Sequence, residues 1–251
     1  MRNVVFVAPF PLEATMRFAR AAAGLNDVRF LGIFQEAPKG GDAGIFKDLV
    51  TVADGLDTRQ LIEAGKLLEQ RHGKVHRVLG ILEPLQVQLG ELRKALGVIG
   101  TDAATADLFR DKARMKDELR RHGLPCARHR LLRTFADAEG FAAEVGFPIV
   151  IKPPAGMGCK ATWRINSMDE LKGAFGAIGA SPERPALAEE FLKAREHSFD
   201  TVTVGGQVRF QSVSRYFPTP LEVMETPWIQ WVVVWPKVMS GPEYADACEL
   251  G

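Results

Sequence analysis

A parallel α/β domain followed by an α+β unit is the fold this sequence predicts. Three observations carry that reading. Short apolar runs alternate with amphipathic segments through the first part of the chain, glycine or proline marks most joins, and β-rich stretches later enclose a two-glycine turn.

The run from Asn3 to Pro9 is continuously apolar. That pattern is expected of a strand buried on both faces, as in a parallel sheet. Glu13 to Leu25 has apolar residues at helical spacing and stops near Gly24, and Val28 to Phe34 reads as a strand. Asp57 and Thr58 open a helix that ends at His72 and Gly73. Val75 to Leu82 is a further strand. Pro84 begins the next helix, where its missing N–H costs nothing. Gly97 closes that helix, and Val98–Ile99 is expected to be a short strand. Residues 1–101 therefore read as one α/β domain.

Thr101 to His122 reads as one charge-rich helix ended by Gly123 and Pro125. Strand (Ala127 to Leu132), helix (Thr134 to Val145) and strand (Phe147 to Lys152) follow, then a glycine-containing loop and a strand from Ala161 to Ile165. Ser167 and Glu170 have capping-box spacing, in which each side chain accepts from the other's backbone N–H. Residues 102–185 form this small two-layer unit. Ala186 to Leu192 reads as a strand. The segments 199–204 and 207–214 flank Gly205-Gly206, a pair suited to a hairpin turn with positive φ at both central positions. Trp228 to Val234 reads as a strand and Gly241 to Glu249 as the start of a helix, so residues 186–251 read as the first part of a further subdomain.

Bulk properties narrow the function. Lys plus Arg number 32 and Asp plus Glu 31, a balance that calls for neither nucleic acid nor an anionic membrane as partner. The 3 cysteines form no disulfide framework and no zinc spacing, which fits a reducing, cytoplasmic setting. The apolar run after Arg2 is too short and too broken by Pro9 and Pro11 for a signal peptide or a membrane span.

Three segments carry chemistry. In Phe147-Pro-Ile-Val-Ile-Lys152, a strand delivers a lysine at its end, and Gly156 and Gly158 follow in a loop. Glycines allow backbone N–H groups to reach phosphate oxygens, and the ammonium needs an anion. A surface hairpin with a solvated lysine fits the same residues. Lys112 lies 40 positions upstream, on a charged helix where lysines are usually solvated. Ala186 to Leu192 carries Glu189, Glu190, Phe191 and Leu192 on one strand, and Glu196 follows. Free strand backbone can read an adenine edge and a carboxylate can accept from ribose hydroxyls. An edge strand protected by charges is the plainer alternative. Glu83 lies past a strand end, where open α/β sheets bind ligands, though it also suits the start of the next helix. His72 and His76 straddle Gly73 and make a poor metal pair.

Taken in order and spacing, these segments resemble the ATP-grasp superfamily, near the biotin carboxylase and carbamoyl-phosphate synthetase branch. The likeness rests on Asp111-Lys112 with Met115-Lys116, on Gly123-Leu-Pro, on Gly146-Phe-Pro-Ile-Val-Ile-Lys152-Pro, on the loop from Ala155 to Lys160, and on Glu189-Glu190-Phe191-Leu192 with Glu196. The resemblance implies a pre-ATP-grasp domain over residues 1–101, a small lid subdomain over 102–185 and an incomplete larger subdomain over 186–251. It implies that Lys112 and Lys152 meet the α- and β-phosphates of ATP and that the Gly156–Gly158 loop closes over them. It also implies that Glu189, Glu190, Phe191 and Leu192 line the adenine, and that Glu196 meets the ribose. The implied reaction activates a small carboxylate substrate as an acyl phosphate, which an amine or another nucleophile then attacks. Magnesium is expected of a full-length member, but no acid followed by Glu-x-Asn occurs after Leu192. The alternative is a nucleotide-binding module without catalysis, or a remnant lacking those ligands. The catalytic residues, the substrate and homo-oligomer formation stay open. A nicotinamide-dependent oxidoreductase is disfavoured because Ala-Pro-Phe-Pro follows the first strand in place of a glycine fingerprint.

Overall fold

The computed structural model describes residues 1–155, 161–226 and 228–250. The chain divides into two compact units, Met1–Met115 and Lys116–Gly251.

In the first unit, β1 (Arg2–Ala8), β2 (Val28–Phe34), β3 (Asp48–Thr51) and β4 (Val75–Leu79) form a sheet in the order β3-β2-β1-β4. All its pairings are parallel. The helices are α1 (Glu13–Ala23), the short α2 (Gly41–Gly44), α3 (Thr58–His72), α4 (Gln86–Ala95) and α5 (Ala103–Arg110). Strand alternation explains the apolar run at the N-terminus. Val5 and Val7 pack with Leu61 and Leu68 of α3 and Leu89 and Leu92 of α4. Val4, Phe6 and Ala8 pack with Met16 and Ala19 of α1 and with Phe30, Phe34 and Phe46. Both faces are covered, so every position between Val4 and Ala8 is apolar.

Two expectations for this unit are corrected. Val98–Ile99 is not a strand. The Val98 N–H donates to the Arg93 carbonyl at 2.8 Å, and Gly97 takes a positive φ of 62°. That backbone closes the end of α4 and is not available to the sheet. The helix expected over 101–122 breaks at Asp111, which adopts extended dihedrals of −92° and 108°. A new helix, α6 (Lys112–Arg121), starts there. Asp111 Oδ1 accepts from the backbone N–H groups of Ala113 at 2.9 Å and Arg114 at 3.1 Å, which makes Asp111 an N-terminal cap. β3 is an additional strand on the edge of the sheet, beside β2. Its Asp48 accepts from His72 Nε2 at 2.8 Å and from Arg71 Nη1 at 3.3 Å, tying the edge to the end of α3.

The His72 hydrogen bond, aided by Arg71, holds the Asp48 carboxyl below its ordinary value. A carboxylate with a lowered folded-state pKa stabilises above its unfolded value, about 3.9, and loses that contribution as pH falls through the folded value. Melting temperature is therefore expected to be insensitive to this group between about pH 7 and 5 and to fall below about pH 4. Asp48→Asn should flatten part of that decline. Superimposable acid profiles for the two proteins would contradict the assignment.

In the second unit, β5 (His129–Leu132), β6 (Ile149–Lys152), β7 (Trp163–Ile165) and β8 (Ala186–Glu190) form a sheet in the order β5-β8-β6-β7, with antiparallel pairings throughout. Helices α7 (Phe135–Val145) and α8 (Met168–Ile178) pack on one face through Phe141, Ala142, Leu171 and Ile178 against Ile149, Ile151, Ala186 and Ala188. Thr134 caps α7 with a full capping box to Asp137. Ser167 caps α8, but only half of the expected box forms there. Glu170 N donates to Ser167 Oγ, while the Glu170 carboxylate accepts from the N–H of Asn166, one residue earlier than expected.

A second sheet, in the order β11-β10-β9, comprises β9 (His197–Val204), β10 (Gln207–Phe217) and β11 (Val232–Val234). Gly205 and Gly206, with φ of 60° and 75°, make the expected hairpin turn. The strand expected over 228–234 is confined to Val232–Val234. Two helices complete the unit: α9 (Pro220–Glu225), where Thr219 and Glu222 form a capping box, and α10 (Ala245–Leu250).

Candidate functional site

The site in the second unit follows from sheet alternation. Ile149 and Ile151 face the helices, so Val150 and Lys152 face the other side of β6. Ala186 and Ala188 face the helices on β8, which turns Leu187 and Glu189 to the same side as Lys152. Lys152 pairs across with Leu187 and Val150 with Glu189, so Lys152 and Glu189 are diagonal neighbours on one face. The Lys152 Nζ donates to Glu189 Oε2 at 2.7 Å.

Helix α6 brings more charge to that face. The Lys116 ammonium lies 3.5 Å from Glu189 Oε1, and Asp117 lies 3.1 Å from the Nε2 of His129, the β5 residue paired with Glu189. The Lys116 contact is an ion pair without hydrogen-bond geometry, so Glu189 Oε1 is a buried oxygen with no hydrogen-bond partner among the described residues. Glu189 is 8% exposed, which is rare for a carboxylate unless cations surround it. Two ammonium groups on one carboxylate leave this cluster with a net positive charge.

Glu190, the next residue, points the other way. Its carboxylate accepts from the Arg128 backbone N–H at 2.7 Å and from the Arg128 guanidinium at 2.8 Å. The backbone hydrogen bond is the leading reason its carboxyl lies below the ordinary value. The Phe191 ring sits under the Arg164 guanidinium, 4.4 Å from its centroid, and the Phe191 N–H donates to the Pro148 carbonyl at 3.3 Å. Leu192 is exposed. Desolvation raises the Glu196 carboxyl above its ordinary value, opposed by the Lys152 charge and reinforced by Glu222. Glu196, Lys152 and Glu222 thus lie within electrostatic reach of one another. Arg164, beside Phe191, in turn contributes to holding the Glu222 carboxyl down, after its capping bonds to Thr219.

The structure therefore groups Lys152, Glu189 and Glu196 in one neighbourhood, with Phe191 bound to Arg164. Lys112 is the first residue of α6 and belongs to the first unit. Gly156 and Gly158 lie outside the described residues. In the first unit, Glu83 accepts from Arg110 at 2.9 Å, and His76 Nδ1 accepts from the Asn3 N–H at 3.1 Å while His72 holds Asp48. These contacts account for the histidine pair structurally. Lys116 was not singled out from sequence beyond its place in the motif. Its position four residues after Lys112, one helical turn on, was the available signal.

Comparison with known proteins places the geometry. Residues 111–197 match the family model of the carbamoyl-phosphate synthase L chain, ATP binding domain. An L-arginine-specific L-amino acid ligase of Bacillus subtilis is 26% identical over 208 residues, covering 81% of this chain and 49% of that protein. The crystal structure of an L-amino acid ligase from Bacillus licheniformis superposes with a TM-score of 0.76 at 17% identity, covering 100% of this chain and 58% of the ligase. A carboxyaminoimidazole ribonucleotide synthase from Aspergillus clavatus, solved with ATP, gives a TM-score of 0.66 at 18% identity over 86% of this chain and 54% of its own. Residues 111–197 are thus similar in sequence to that ATP binding domain, and the fold resembles that of the ligases. The mixed parallel and antiparallel architecture is theirs as well. The chain spans about half the length of the curated ligase it matches.

Proposed function

We propose that this chain is the ATP-binding portion of an ATP-dependent ligase that activates a carboxylate as an acyl phosphate for attack by an amine or another nucleophile. The observation that carries the reading is the lysine-rich cluster around Glu189, in a segment matching an ATP-binding domain. The two ammonium groups brought together there fit a polyanionic ligand. The amino acid ligases among the relatives favour an amino acid as one of the two reactants.

In this reading Lys152 binds phosphate oxygens with charge-assisted hydrogen bonds, and Lys112 contributes a second ammonium to the phosphates. Gly156 and Gly158 belong to the loop that covers them. Phe191 and Leu192, with Glu189 and Glu190 on the strand before them, line the adenine, and Glu196 accepts from the ribose. Bound ATP would supply the phosphoryl group. The protein's own work is alignment, exclusion of water and neutralisation of charge. Among the described residues, no group of three or more acidic, histidine or cysteine side chains is placed to hold a metal.

Two measurements test the proposal. Calorimetric titration of ATP into the folded chain should show saturable binding. ATP-dependent trapping by hydroxylamine should yield the hydroxamate of a small carboxylic acid, with amino acids tried first. Failure of ATP to bind the folded protein would remove the reading.

A further inference from the structure

The Glu189 cluster has a feature that the nucleotide-site reading does not use. Lys116 is the more buried lysine of the two, with its side chain 13% exposed against 24% for Lys152. It comes from α6, whereas Lys152 and Glu189 come from adjacent strands. Glu189 presents Oε2 to Lys152 and Oε1 to Lys116. Without Lys116, the single carboxylate would cancel the Lys152 charge outright, and Lys152 would have little left to offer an anion. With Lys116 in place, the trio keeps one unit of positive charge, and Lys152 is the member nearer solvent.

We propose that Lys116 is a positioning residue of the phosphate subsite. It neutralises Glu189 from the inner side, so that the Lys152 ammonium remains electrostatically available to phosphate oxygens. This deepens the nucleotide-site reading above and rests on it. Lys116 acts through Glu189 and needs no contact with the nucleotide. Charge arithmetic gives a pattern that loss of structure would not reproduce. The cluster carries +1 in the native protein, 0 in Lys116→Met, +2 in Glu189→Gln and +1 again in the double variant.

The test is ATP affinity by calorimetry for the native chain, Lys116→Met, Lys116→Arg and Lys116→Met/Glu189→Gln, with a thermal melt for each. Lys116→Met should bind ATP about five-fold more weakly, the scale of one partly screened charge contact. Lys116→Arg should keep native affinity. The double variant should recover most of the loss, although two purely structural lesions would add. A double variant weaker than Lys116→Met would overturn the proposal, as would native affinity in a folded Lys116→Met. If Lys116→Met does not fold, Glu189→Gln titrated with inorganic tripolyphosphate decides. This probe has no adenine, so tighter binding than native supports the proposal and unchanged or weaker binding overturns it. Lys152→Ala separates the two levels. If it loses affinity while the Lys116 series does not, only this inference falls. If ATP affinity survives Lys152→Ala, the site reading itself falls.

Discussion

Lys152→Ala is expected to weaken ATP binding by about ten- to a hundred-fold. Hydrogen bonds to charged groups contribute about 1.5–3 kcal/mol each, and a lysine on phosphate is of that type. A second effect acts in the same direction. Removing the 2.7 Å partner of Glu189 leaves that buried carboxylate with Lys116 alone, so the cluster becomes neutral just where a polyanion is to bind. Calorimetry at two salt concentrations checks both parts. Affinity should fall, and its dependence on ionic strength should fall with it. Unchanged affinity in a folded variant would show that the nucleotide binds elsewhere.

The other large effect is on stability. Phe141 of α7 is 1% exposed and joins Leu132, Ile149, Ile151 and Ala188 in the core between the helices and the β5-β8-β6-β7 sheet. Phe141→Ala should destabilise the second unit by about 3–5 kcal/mol through lost burial and the cavity left behind. Because the chain has two compact units, a single global melt would blur the result. Hydrogen exchange at the amides of β6 and β8 reads the unit directly. Exchange there should accelerate by two orders of magnitude or more, about what that energy implies, while β1 and β2 keep their protection. Equal acceleration in both units, or none, would contradict the packing described.

Much of this was legible in the residues. The apolar run at Val4 to Ala8, the Thr58–His72 helix after Asp57, the Gly205-Gly206 turn and the strand ending in Lys152 each follow from a local rule, and local rules survive folding. The α9 helix was also legible but unread. Thr219-Pro-Leu-Glu222 carries a capping box with proline in the first turn. What was not legible depended on partners distant in sequence. Asp111 reads equally as a surface acid or as a cap, and only the chain direction decides. Val98 reads as a strand residue until its N–H is seen closing α4. The sequence places Glu189 on a strand that the resemblance assigns to adenine. Its engagement by Lys116 and Lys152 depends on which face of β8 it takes and on where α6 lies.

Adjacent acids on one strand have separate destinations here: Glu189 goes to the ammonium groups, and Glu190 is stapled by Arg128 across the neighbouring chain segment. The parity of β8 is the sole distinction between them, since side chains reverse at every step. Excising the single residue between Ala186 and Ala188 while the start of the strand stayed anchored would turn Glu189 toward the helix-covered face and bring Glu190 to the lysines, with hardly any change in composition. Such a frame-preserving deletion would press the Glu189 carboxylate against the apolar core beneath α7 and α8 and turn Ala188 to the charged face. This dipeptide therefore tolerates substitution far better than it tolerates slippage.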